Sequence, residues 1–83
     1  MSRGATAWPD AWPPGVIGRY LTLAGAALAD PTATVDVTAH GLRFNYHCRG
    51  CQAVNWHSYE PSIRREAQSH AAECRALPRP GGA

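Results

Sequence analysis

Four residues decide most of what this chain can fold into. Cys48 and Cys51 are separated by two residues, and His70 and Cys74 by three. A tight turn brings the first two sulfurs to one point, and residues four apart stack on one face of a helix, so the second pair converges as well. Each pair also sits in a matching local pattern. Leu42, Phe44, Tyr46 and Cys48 alternate with Arg43, Asn45 and His47, which predicts a strand whose apolar face ends in the Cys48 sulfur. Cys48-Arg49-Gly50-Cys51 then reads as a sharp knuckle, with Val54 and Trp56 on a returning strand. Pro61 suits the first turn of a helix and Pro78 its close. Between them Ile63, Ala67, His70, Cys74 and Leu77 fall on one helical face. The 18 residues between Cys51 and His70 hold the returning strand, a turn and half of that helix.

Three thiolates and an imidazole suit a tetrahedral zinc ion, and four protein ligands close its shell. The spacing therefore predicts one structural zinc site and argues against a catalytic one. Iron–sulfur ligation fits less well, because His in place of Cys is unusual there. The competing reading is three core or reactive thiols and a core histidine. It fails on composition. Leu, Ile, Val and Phe number 12 of 83 residues, and 15 of the 37 residues counted as hydrophobic are alanine. That 14% lies below the ~20% at which a chain stops resembling a core-forming one. So short a chain buries only roughly 60% of its unfolded surface, whereas structural zinc contributes roughly 10–16 kcal/mol of apparent binding free energy in finger peptides. These sums exclude a self-sufficient hydrophobic fold and an enzyme with a deep pocket. An odd number of cysteines argues against a disulfide framework and for ligation in a reducing compartment, hence the cytoplasm.

Residues 1–15 hold small residues, prolines and no apolar period, so they read as a flexible tail. Trp8 and Trp12 are its exceptions, and they either fold back over the core or dock on a partner. Residues 16–77 form a single domain, with a metal-binding core over 35–77, and 78–83 read as a disordered end. Tyr20-Leu21-Thr22-Leu23 suggests a strand and the Ala-rich continuation a short helix, so 16–29 add one or the other beside the hairpin. Val35-Asp36-Val37-Thr38 alternates as a strand, and His40-Gly41 supplies a reversal. Ala27-Leu28-Ala29 looks like a signal-cleavage site, but Asp10, Pro9, Pro13 and Pro14 precede a barely apolar run. That run is too short for the ~20 residues of a membrane span. The expected architecture is a small α+β fold: an antiparallel hairpin packed on one C-terminal helix around zinc.

Hairpin, knuckle and helix, with the last two ligands on the helix, resemble a zinc finger of the ββα kind in its Cys3His version. The resemblance covers residues 35–77. The segment His70 to Pro78, His-Ala-x-x-Cys-Arg-Ala-Leu-Pro, is also similar to the end of small actinobacterial zinc-finger-like proteins of plasmids and phages, whose function is unassigned. The resemblance implies a non-enzymatic accessory or regulatory protein that binds DNA. Two departures weaken a DNA-reading role: the inter-pair gap exceeds the roughly 12 residues of that pattern, and there is one finger. Counting back from His70 by the finger's spacing places Ser69, Glu66 and Ile63 at the base-reading positions. None can make a bidentate base contact.

The net charge is +2, or +1 with three thiolates on a divalent ion, which does not advertise a polyanion partner. All eight basic residues are arginine, which with the alanine content matches codon bias in a GC-rich genome. Residues 40–79 carry six Arg against three Glu. Two partner classes follow. Nucleic-acid binding draws on Arg49, Arg64, Arg65 and Arg75 and predicts steep salt dependence. A protein-interaction adaptor draws on Trp8 and Trp12 and predicts weak salt dependence. Neither needs a membrane or a small-molecule substrate. His47 is expected in solvent, His40 in the turn, and His57 as the one substitute ligand. Tyr46, Trp56 and Tyr59 read as core cover rather than a base-stacking platform.

Overall fold

The computed structural model describes residues 12–78. The elements run β1 (Val16–Leu21), α1 (Leu23–Leu28), β2 (Thr34–His40), β3 (Arg43–Cys48), β4 (Val54–His57) and α2 (Glu60–Glu73). The strands form one antiparallel sheet in the order β1-β2-β3-β4, and α2 lies across one face of it. The hairpin-on-helix arrangement is therefore present within a larger sheet.

Alternation places Val35 and Val37 of β2 and Cys48 of β3 on the helix side, where all three are buried. They meet Ile63, Ala67, Ala71 and Cys74, which completes the core. Among the described residues, only three large aliphatic side chains lie fully inside, Val35, Val37 and Ile63. The helix faces the sheet with alanines, so it can approach closely, and Ile17, Tyr20, Phe44 and Tyr46 wall the sides.

Residues 16–29 supply both a strand and a helix. Thr22 separates them: its Oγ1 accepts from the Gly25 N–H at 3.0 Å, a helix N-cap, in a fully buried position. Ala29, at φ 53°, closes α1, and the Asp30 N–H reaches back to the Gly25 carbonyl at 2.9 Å. Pairing begins before β1, since the Ala39 N–H donates to the Gly15 carbonyl at 2.9 Å.

Several expectations need correction. Leu42 belongs to the Gly41-Leu42 turn and is 90% exposed; Gly41, at φ 59°, is the residue that turns the chain. Helix α2 ends at Glu73, four residues before Leu77, which stands half in solvent. Cys74 itself is extended (φ −73°, ψ 123°), and the chain beyond it folds over the knuckle instead of prolonging the helix. Trp56 and Tyr59 are exposed rather than core cover. The register pairs Trp56 with Asn45, opposite in face to the Tyr46–Asn55 pair, so the indole projects away from α2. Trp8 lies outside the described residues, and Trp12 is 49% exposed.

Candidate metal centre

The knuckle is built by hydrogen bonds around Cys48. Its N–H donates to the Ala53 carbonyl at 2.8 Å, and its carbonyl accepts from the Gln52 N–H at 2.9 Å. The Arg49 N–H continues the sheet by donating to the Thr34 carbonyl at 2.9 Å. Gln52 sits at φ 70°, a costly conformation for a side-chain-bearing residue. Its own amide offsets that cost locally: Nε2 donates to the Arg49 carbonyl at 3.2 Å, and Oε1 contacts His47 Nε2 at 2.8 Å. Gly50 is required by close approach. A Cβ there would lie 2.5 Å from the Ala76 carbonyl oxygen and 3.6 Å from Cys74 Sγ.

Helix α2 supplies the other pair. His70 lies in its last turn, and its carbonyl accepts from the Cys74 N–H at 2.9 Å as the helix closes. The Cys74 carbonyl accepts from the Ala24 N–H at 3.1 Å, which ties the start of α1 to the last ligand.

Cys48, Cys51, His70 and Cys74 thus converge, with their ligand atoms all within 4.8 Å of one another. Cys48 Sγ and Cys74 Sγ are 3.6 Å apart and buried; Cys51 Sγ and His70 Nε2 are 3.2 Å apart on the outer side. This group can hold one metal ion. Burial pushes the Cys48 thiol up to about 11, against backbone N–H groups that favour its thiolate. For Cys51, burial raises the value, but hydrogen bonds from the Ala53 N–H and the neighbouring thiols together bring it below the ordinary thiol range.

Tyr46 stacks on His70, with ring centroids 5.9 Å apart, and fixes the imidazole from the sheet side. Burial raises the Tyr46 hydroxyl above its ordinary value, with the Glu66 charge adding to the shift. The signal for this contact was present in the alternation, which puts Tyr46 two residues before Cys48 on the same face.

His57 does not join the ligands. It pairs with Glu66, whose other oxygen accepts from Asn55 Nδ2 at 2.7 Å. His47 is exposed against Gln52, and His40 is exposed at the end of β2.

The sequence-predicted arginines differ in their surroundings. Arg64 is held within the fold: Nε donates to Glu60 at 2.7 Å, Nη1 to the Tyr20 hydroxyl at 2.9 Å and Nη2 to the Ile17 carbonyl at 3.0 Å. Arg49 is half-buried in the knuckle, while Arg65 on α2 and Arg75 beyond it are exposed. Of the three helix positions compared with base-reading residues, Ile63 is in the core, Glu66 is bonded to β4 and Ser69 is exposed. Comparison with protein-family models, with curated proteins and with solved structures found no match to this chain. No helix among the described residues is long and apolar enough to cross a membrane.

Proposed function

We propose that the chain is a non-enzymatic module of the cytoplasm, held in shape by one structural zinc ion, that binds nucleic acid. The observation that carries the zinc reading is the convergence of three sulfurs and one imidazole nitrogen within 4.8 Å. Ligands at zinc bond lengths in a tetrahedron stand about 3.8 Å apart for two sulfurs and about 3.5 Å for sulfur and nitrogen. The 3.6 and 3.2 Å edges lie close to those values. Thiolates and imidazole select zinc over hard cations. When bound, the ion supplies cross-linking rather than chemistry, because Cys48, Cys51, His70 and Cys74 fill its shell. The same arrangement supports the resemblance to a Cys3His finger.

The nucleic-acid reading rests on the finger resemblance and on arginines left free at the surface. Among the described residues, ion pairs join Arg19 to Asp36, Arg64 to Glu60 and His57 to Glu66. Arg43, Arg49, Arg65 and Arg75 have no such partner, against Asp30 and Glu73 among the carboxylates. With the −1 of a three-thiolate zinc site counted, the excess is a single charge, so the support lies in where the free arginines stand rather than in net charge. Arg65 and Arg75, both exposed, are the better candidates from the predicted set, because Arg64 is engaged inside the fold.

The test is fluorescence anisotropy of labelled oligonucleotides with zinc-loaded protein from roughly 50 to 200 mM salt. Binding that weakens steeply with salt, and falls in Arg65→Ala/Arg75→Ala, supports this reading. Absence of binding at the lowest salt rejects it. The search then turns to a protein partner, whose handle is the exposed Trp12 together with Trp8.

A further inference from the structure

Among the described residues, nothing covers the face of the sheet opposite α2. Alternation brings to it Thr38 and His40 of β2, Arg43, Asn45 and His47 of β3, and Trp56 of β4, around a shallow depression of about 470 Å³. Among the described residues, both helices keep to the other side or the end of the sheet. Trp56 stands 51% exposed on this face, on the edge strand β4. The Arg43 guanidinium lies over its ring, 4.1 Å from the centroid.

We infer that this open face is a binding surface for single-stranded nucleic acid, with Trp56 as the base-stacking residue and Arg43 as its phosphate-directed cation. The inference rests on the nucleic-acid reading above, gives it a substrate class, and places the contact at Arg43 and Trp56 instead of at Arg65 and Arg75. Three observations carry it. First, an indole held half in solvent on a rigid strand offers a π surface that a folded core does not need. Arg43, over one face of the ring, supplies the positive charge, so a base stacks on the other face while its phosphate meets the guanidinium. Second, the charge on this face is complementary to a polyanion. No carboxylate lines the depression. Asp36, on the same face, is held by Arg19 Nε at 3.1 Å and Thr34 Oγ1 at 2.7 Å. Third, the surrounding groups are polar donors and acceptors at fixed positions, suited to base edges, and Val54 is the one exposed aliphatic neighbour on β4. Leu21 of β1 and Leu42 at the β2–β3 turn are the other exposed aliphatic side chains at its borders, so a protein partner would find few apolar anchors around the indole itself.

The strand must be single. In a duplex the base faces are closed by stacking, and a platform of this kind is used by unpaired bases. Sequence preference at such a site is weak, since every base has a π face.

The experiment uses the full zinc-loaded chain and fluorescein-labelled oligomers of about 12 nucleotides. Single-stranded RNA, single-stranded DNA and a duplex are titrated side by side, with zinc content checked for every variant. Single strands are expected to bind more tightly than duplex. Trp56→Ala is expected to weaken single-strand binding roughly 5- to 150-fold, the range measured for loss of one stacked base. Trp56→Phe retains most of the affinity, and Arg43→Ala weakens it. A second readout is indole emission in a Trp8→Phe/Trp12→Phe chain, where Trp56 alone reports. Saturation with single strand is expected to quench it, and this result stands even if Trp56→Ala folds poorly. Unchanged emission at saturation, or full affinity in Trp56→Ala alongside loss in Arg65→Ala/Arg75→Ala, overturns this location while leaving the nucleic-acid reading intact. No binding of any oligomer overturns both and points to a protein partner.

Discussion

Replacing Cys74 by alanine removes a buried ligand whose sulfur lies 3.6 Å from that of Cys48. The size of the effect follows from what remains. Three large aliphatic side chains are fully buried, Val35, Val37 and Ile63. At about 1.5–3 kcal/mol each they contribute roughly 5–9 kcal/mol together. Structural zinc in small domains contributes roughly 10–16 kcal/mol. A bound zinc ion would therefore outweigh the large side chains of the core, and the alanines and half-buried aromatics around them add less per residue. Cys74→Ala is expected to abolish the cooperative fold over residues 35–77, and chelation of the native chain should do the same reversibly. Cys51→Ala should be milder. Its sulfur is on the exposed side, so water can take the vacated position, and no cavity opens in the core. The assay is the amide nuclear magnetic resonance spectrum with and without chelator, together with thermal unfolding. Dispersed amides for Val35, Val37 and Ile63 should collapse in Cys74→Ala and survive in Cys51→Ala. A Cys74→Ala protein whose midpoint stays within about 5 °C of the native one has lost only about 1 kcal/mol, which would refute the claim that the metal holds the fold.

Gly50→Ala should cost about 1–3 kcal/mol and weaken zinc retention against a competing chelator, because the new methyl meets the Ala76 backbone rather than a side chain that can move. Arg64→Ala should lower stability by about 1–2 kcal/mol, measured by urea unfolding, since the guanidinium joins α2 to Tyr20 and Ile17 of β1 while partly open to solvent. The Glu66 carboxyl is held below its ordinary value by hydrogen bonds from His57 and then Asn55. Its contribution is full above the ordinary carboxylate range and is lost as pH falls through the lowered value. The midpoint advantage of the native chain over Glu66→Gln should therefore shrink on acidification; an advantage that grew at low pH would reverse the sign.

What was legible in the sequence was local. The ligand set needs only a turn and a four-residue helical step, and both survive any tertiary context. Strands β2 and β3 showed through because Val35, Val37, Phe44 and Tyr46 keep a two-residue period. The remaining features depend on partners distant in the chain. Leu21-Thr22-Leu23 carries no clean period, and the break between β1 and α1 is made by a buried Thr22 cap. Pro78 did not set the end of α2. The chain turns at Cys74, where the sulfur reaches Cys48 and the following backbone packs on Gly50. Trp56 belongs to a run whose phase depends on how the knuckle uses Gln52 at positive φ, and composition near Trp56 does not encode that. Arg64 has the spacing of a solvent residue, but β1 lies close enough to bind it.

The strand order has a kinetic consequence. Each strand pairs with its predecessor, and β2 and β3 are joined by a turn of two residues. Such local contacts form early, on the order of 1–10 μs for a hairpin and faster for a helix. Cys48 and Cys51 are thereby gathered at the end of one hairpin, and His70 and Cys74 at the end of α2, before the two meet. Each half presents only two ligands and holds an ion weakly. A bound ion would act as a clasp that makes two transiently formed halves persist, rather than as a nucleus. The refolding rate should therefore climb with free zinc and level off once docking of the helix on the sheet becomes the slow step.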